Sequence, residues 1–161
     1  MSYCIENNMV HSDKKIKVLF VCVHNSARSQ MAEEYLRRIG KELFEVESAG
    51  FEPTSVNPLV IAAMEEDGFD LSTKKTQAVW NLFREGKFYN YVITVCDRTH
   101  EKECPIFPKP FVQLKWSFPD PESFFGTDSE KMEQIRALRD DIRTRIEQFV
   151  EEITRSLMKD V

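Results

Sequence analysis

Apolar positions along the chain follow two rhythms, and the switch from one to the other marks the elements. Ile16-Lys17-Val18-Leu19-Phe20-Val21 is a short run rich in β-formers, the pattern of a strand covered on both faces. After a loop, Met31, Ala32, Tyr35, Leu36 and Ile39 recur at helical spacing, and Gly40 is expected to end that helix. Phe44 to Ser48 alternates as a second strand running into Ala49-Gly50. Asn57-Pro58 predicts a helix start, with Asn as cap and Pro in the first turn, continuing to about Gly68. A shorter helix is expected from about Thr76 to Arg84. Tyr91-Val92-Ile93-Thr94-Val95 predicts a third buried strand, and Val112 to Trp116 a short fourth. Phe118-Pro119-Asp120-Pro121 is loop, because prolines on both sides of Asp120 remove ladder donors. Thr127, with Glu130 three residues on, opens the last helix as a capping box. Its apolar stripe is Met132, Ile135, Leu138, Ile142, Ile146, Phe149 and Ile153.

Strands alternating with helices predict an α/β fold: a single-domain four-stranded parallel sheet with helices on both faces. The domain is expected over residues 15–158, after a polar, disordered tail at residues 1–14. Nothing in the sequence reads as a repeat, a low-complexity segment or a dividing linker. Ligands of such sheets sit beyond the carboxyl ends of the strands. Cys22, Cys96 and Asp120 fall there, after the first, third and fourth strands.

Composition narrows the choices further. A chain of 161 residues fits one domain, and 42% hydrophobic with 30% charged residues excludes a mainly disordered chain. A net charge of −5 argues against nucleic-acid or anionic-membrane binding, so an anionic substrate would need a locally attractive site. No apolar run approaches the roughly 20 residues of a membrane helix, and the first residues lack a signal peptide's apolar middle. A cytoplasmic location is therefore expected. Four cysteines (Cys4, Cys22, Cys96, Cys104) are few for a disulfide scaffold. In a reducing compartment they read as catalytic, redox-active or simply buried. Cys4, in the tail, reads as a spectator.

The most informative stretch is Cys22-Val23-His24-Asn25-Ser26-Ala27-Arg28-Ser29. A buried strand ends at Cys22 and a helix begins near Ser29. A short loop entering a helix N-terminus aims several backbone N–H groups at one spot, which makes an anion cradle aided by the helix dipole. Arg28 can grip two oxygens of the anion at once. The same field favours negative charge on the Cys22 sulfur, to which Ser29 could hydrogen-bond. Asn25 suits a left-handed loop position. His24 reads as a rim residue rather than a base. The Gly-rich run and Gly-Lys-Ser/Thr of an ATP-type loop are absent. The competing reading is a buried small cysteine beside a surface arginine. Asp120, taken alone, is either a turn residue or a proton donor.

Cys-x5-Arg-Ser directly after the first strand resembles the low-molecular-weight protein tyrosine phosphatase superfamily. The longer string Cys22 to Glu33 is similar to its arsenate reductase branch. Ser48-Ala49-Gly50, Val56-Asn57-Pro58, Val92 to Asp97, Cys104-Pro105 and Phe118-Pro119-Asp120-Pro121 match that branch in order. The resemblance runs from about Lys17 to Glu151.

It implies that Cys22 is the nucleophile, Arg28 the anion grip and Asp120 the general acid. It further implies that Cys96 and Cys104 form a disulfide relay regenerated by thioredoxin, so that arsenate is reduced to arsenite with phosphate and sulfate as competing anions. No cofactor is required on this reading. Relatives can hold a potassium ion near the anion loop, and Asn25, Glu33 and Ser48 match that site, with Gln77 at the fourth position instead of an acid. Cys96, His100 and Cys104 are evenly spaced but lack a fourth ligand for a metal. Three rivals stay open. One is a protein tyrosine or aryl phosphatase using Cys22, Arg28 and Asp120 alone, although Glu122 stands where many such phosphatases carry an aromatic residue. Another is an oxyanion-binding or thiol-sensing protein, for which an acid is superfluous. In the third, a low-molecular-weight thiol supplies the electrons and Cys96 and Cys104 are idle.

Overall fold

A computed structural model describes residues 14–96 and 112–159. The expected tail, apart from Lys14, lies outside these residues, and so do Cys4, His100 and Cys104. Strand β1 (Ile16–Cys22) is followed by helix α1 (Arg28–Gly40), a 3-10 turn (Lys41–Leu43), strand β2 (Phe44–Gly50) and helix α2 (Pro58–Glu66). Helix α3 (Val79–Arg84), strands β3 (Tyr91–Thr94) and β4 (Val112–Lys115), a 3-10 turn (Pro121–Ser123) and helix α4 (Asp128–Lys159) complete the order.

The four strands form one sheet in the order β2-β1-β3-β4, and every pairing is parallel. Successive strand side chains point to opposite faces. Val18, Leu19, Phe20 and Val21 are all fully buried, so both faces of β1 are covered, as the unbroken apolar run predicts. Chain order reverses at β1, with β2 on one side and β3 on the other. The crevice beyond the end of β1 is thus the switch point where open α/β sheets place ligands. Cys22 is the last residue of β1.

Helix α4 realises its expected stripe. Ile135, Leu138, Ile142, Ile146, Phe149 and Ile153 are buried, and Met132 is partly so. Phe149 gathers three rings around itself: Phe44 of β2 at 5.8 Å, Tyr91 of β3 at 5.4 Å and Trp116 after β4 at 5.5 Å between centroids. Each such pair contributes about 0.5–1.5 kcal/mol beyond area burial, and deleting the ring would cost about 3–5 kcal/mol. Thr127 Oγ1 accepts the Glu130 N–H at 3.2 Å, the expected N-terminal cap. Arg136 and Arg139 of α4 both donate to Glu66 at the end of α2. These bonds, Arg136 first, hold the Glu66 carboxyl down at about 2. Among the described residues, no helix is long and apolar enough to cross a membrane.

One expectation holds by a different device, and one needs correction. Helix α1 ends at Gly40 as expected, but Gly40 itself is helical and the positive-φ residue is Lys41, at φ 47°. Gly40 is small for a packing reason: a Cβ there would lie 2.3 Å from the Phe44 ring. The helix expected from Thr76 begins at Val79, because Ala78 is extended and bridged to Gly50 at the end of β2. There Gly50 donates its N–H to Gln77 O at 2.9 Å.

Candidate active site

The loop after β1 is held from outside by the segment after β2. Phe51, Glu52, Thr54 and Asn57 donate their N–H groups to the carbonyls of Cys22, Val23, His24 and Ser26, at 3.2, 2.8, 3.0 and 2.9 Å. A trans peptide points its C=O and N–H in opposite directions. Turning these carbonyls outward therefore turns the N–H groups of Val23, His24, Asn25 and Ala27 inward. The Asn25 N–H shows the outcome, since it lies 3.1 Å from Cys22 Sγ. Ala27 opens α1 with no side-chain cap, which leaves the helix's first donors facing the same space.

Asn25 makes this geometry by adopting the expected left-handed backbone, at φ 54°. Its buried side chain is oriented without ambiguity. The Gln77 backbone N–H, which can only donate, lies 3.0 Å from Asn25 Oδ1. The Asn25 amide nitrogen consequently donates to Ser29 Oγ at 2.8 Å and Ser48 Oγ at 3.0 Å. Ser29 Oγ is an acceptor in that contact and lies 2.8 Å from Cys22 Sγ, so its own proton is available to the sulfur. Two donors thus converge on Cys22, which is 2% exposed.

Arg28, the first residue of α1, is 3% exposed. Its Nη1 donates to the Phe118 carbonyl at 3.1 Å, and its Nη2 lies 3.8 Å from Asp120 Oδ2. Asp120 caps the Pro121–Ser123 turn, accepting the Glu122 N–H at 3.0 Å. Asp120 therefore caps the turn with Oδ1 and faces Arg28 with Oδ2. Cys96 follows β3 and is buried, with Sγ 3.6 Å from the carbonyl of Val21, the residue before Cys22. Cys22, Arg28, Asp120 and Cys96 thus converge at one end of the sheet. His24 lies at the rim, with Nδ1 3.0 Å from Glu52 O and Nε2 3.6 Å from Glu122 Oε2.

The group expected around potassium is arranged differently. Asn25 turns its amide nitrogen toward Ser48, and the Gln77 side chain donates to Ser48 O at 2.9 Å. The Glu33 carboxylate is paired with Lys74, and Arg37 stands at 3.4 Å. Burial raises the Glu33 carboxyl above its ordinary range, while Lys74 and Arg37 pull it back. Proton donors already meet these oxygens, so the set does not fit a bare potassium ion.

Sequence reasoning missed Lys74, the Phe118 carbonyl, the outer donors at residues 51–57 and the side-chain partner of His24. The short stretch between Gly50 and Asn57-Pro58, too brief to wander, is a signal that could have pointed to those donors.

The chain is similar to known proteins over most of its length. The chain is 36% identical over 140 residues to an arsenate reductase of Halalkalibacterium halodurans, covering 86% of this chain and 97% of that protein. An arsenate reductase solved in its phosphate-binding state superposes with a TM-score of 0.67 at 31% identity, covering 86% of this chain and 98% of the other. A thioredoxin-dependent arsenate reductase from Corynebacterium glutamicum gives a TM-score of 0.63 at 26% identity, over 93% of this chain and 70% of that one. The family model for low molecular weight phosphotyrosine protein phosphatases matches residues 17–159, nearly all of the described structure, and the chain belongs to that family.

Proposed function

We propose that this protein reduces arsenate to arsenite with a Cys22 nucleophile, and that thioredoxin returns it to the reduced state. The observation that carries the reading is the placement of Cys96. A phosphatase needs one cysteine at the end of β1, yet a second is buried after β3, its Sγ 3.6 Å from the carbonyl of Val21, the residue before Cys22. The similarity to arsenate reductases over most of the chain supports the same choice.

The proposed chemistry uses these groups in turn. Arsenate enters the cradle of inward N–H groups and is gripped by Arg28. The Cys22 thiolate attacks arsenic, and Asp120 protonates the departing oxygen, which leaves as water. Cys96 as thiolate then attacks Cys22 Sγ. The sulfur–arsenic bond breaks, its electron pair stays on arsenic, and arsenite departs from a Cys22–Cys96 disulfide. Cys104 attacks Cys96, frees Cys22, and leaves a Cys96–Cys104 disulfide that two electrons from thioredoxin reduce. Phosphorus does not accept that electron pair, so phosphate competes for the cradle without being reduced. A thiol relay of this kind suits the reducing cytoplasm.

The test is thioredoxin-coupled arsenate turnover with Cys96→Ser and Cys104→Ser variants, followed by peptide mapping after one exposure to arsenate without reductant. Wild type should accumulate Cys96–Cys104. The Cys104 variant should stop after about one turnover with Cys22–Cys96 trapped, and the Cys96 variant should release no arsenite. Sustained thioredoxin-driven reduction by both variants would defeat the relay.

A further inference from the structure

The loop that carries Cys22 and the loop that carries Asp120 are joined at two places. One junction is Arg28, through the Phe118 carbonyl at 3.1 Å and the Asp120 carboxylate at 3.8 Å. A guanidinium grips an oxyanion through two of its three nitrogens, so an anion in the cradle would take at least one of these two. Substrate binding therefore weakens this junction at the moment the acid is needed.

The second junction uses nothing that the anion would take. His24 Nδ1 lies 3.0 Å from the Glu52 carbonyl, and Nε2 lies 3.6 Å from the Glu122 carboxylate. A carbonyl oxygen only accepts, so Nδ1 is the donor toward Glu52, and Nε2 faces the Glu122 carboxylate. The ring is also fixed at its base, because the His24 carbonyl accepts the Thr54 N–H. Glu122 in turn holds the acid, its backbone N–H donating to Asp120 Oδ1 at 3.0 Å.

We propose that His24 and Glu122 form a positioning clasp that keeps Asp120 over the anion loop when Arg28 turns from Asp120 to the oxyanion. Both are positioning residues, acting on the reaction through Asp120. The inference rests on the reading of Asp120 as the proton donor.

The test follows hydrogen exchange of the peptide spanning residues 116–124 in the whole protein, with and without saturating inorganic phosphate. Wild type is compared with Glu122→Gln, which keeps the length and the backbone donor, with His24→Ala, and with the double variant. Without phosphate, Arg28 still bridges the loops, and all four proteins should exchange at similar rates. With phosphate bound, each single variant should exchange roughly two- to five-fold faster than wild type, the range that a partly exposed ion pair supports. The double variant should be no faster than either single one. In Glu122→Gln, the single-turnover loss of thiols driven by arsenate should slow by a similar factor, with arsenate affinity unchanged. Equal exchange of wild type and variants in phosphate would overturn the clasp, and so would an equal acceleration with and without phosphate. A wild type that consumes no thiols with arsenate would sink the reductase reading, while the exchange result would still decide the clasp. Failure of wild type to bind phosphate would overturn both.

Discussion

The hydroxyl of Ser29 lies 2.8 Å from the sulfur of Cys22, and Asn25 fixes the direction of that contact by donating to the same hydroxyl. The serine proton is thereby committed to the sulfur. Ser29→Ala should slow alkylation of Cys22 by iodoacetamide at neutral pH by roughly ten-fold, the scale of one hydrogen bond to a charged group. Mass spectrometry of the Cys22 peptide gives the rate. An unchanged rate would show that the Asn25 N–H alone serves the sulfur.

Gly50 is where the two loops touch most closely. A Cβ there would stand 2.7 Å from both Asn25 N and Val23 O, atoms of backbone that cannot swing aside. Gly50→Ala should displace the cradle and abolish phosphate binding measured calorimetrically, with stability lower by about 1–3 kcal/mol. Normal phosphate affinity in a folded variant would contradict this contact.

Asp120→Asn keeps the side chain's shape and its cap on the Glu122 N–H but cannot give up a proton. The single-turnover rate with arsenate should fall by roughly 10²–10⁴-fold while phosphate still protects Cys22 from alkylation. If the first chemical step keeps its rate, Asp120 serves the turn alone.

Glu33 gives a pH-dependent prediction. Burial raises its carboxyl above 4.5 in the native state, so the folded protein holds that proton more tightly than the unfolded chain. Stability from this group is greatest below 4.5 and declines as pH rises through the raised native value. Lys74 counters the decline, pairing with Glu33 and lying 3.2 Å from Glu34. Lys74→Met should therefore match wild type in urea unfolding at acid pH and be about 3 kcal/mol less stable near neutrality. A deficit independent of pH would mean that Lys74 contributes through packing. With the ammonium in place, replacing potassium by choline at constant ionic strength should alter neither melting temperature nor turnover of wild type.

The sequence made some of this plain and concealed the rest, for identifiable reasons. β1 was legible because it is an unbroken apolar run, and α4 because its apolar stripe repeats with the helix itself. Cys22, Arg28 and Asn25 were legible because they share one loop of fixed length. The start of α3 was misplaced because Gln77 and Ala78 are claimed by Gly50 and Asn25, partners far off in sequence. Lys74 with Glu33 and His24 with Glu122 belong to the same class. Such contacts join two non-repeating segments and leave no rhythm to read.

The outward carbonyls of Cys22, Val23, His24 and Ser26 bear on transplantation. An eight-residue cassette from Cys22 to Ser29, moved to another strand–helix junction, would bring the thiol and the arginine. Its four outward acceptors would arrive without the N–H groups of Phe51, Glu52, Thr54 and Asn57. The peptides would then be free to rotate, and the inward donors would scatter. A working graft would need both stretches, Cys22–Ser29 and Gly50–Asn57, locked in the strand register that sets Cys22 opposite Gly50. The cradle is a composite of two chain segments, and a search for the cysteine–arginine spacing alone would retrieve its letters without its shape.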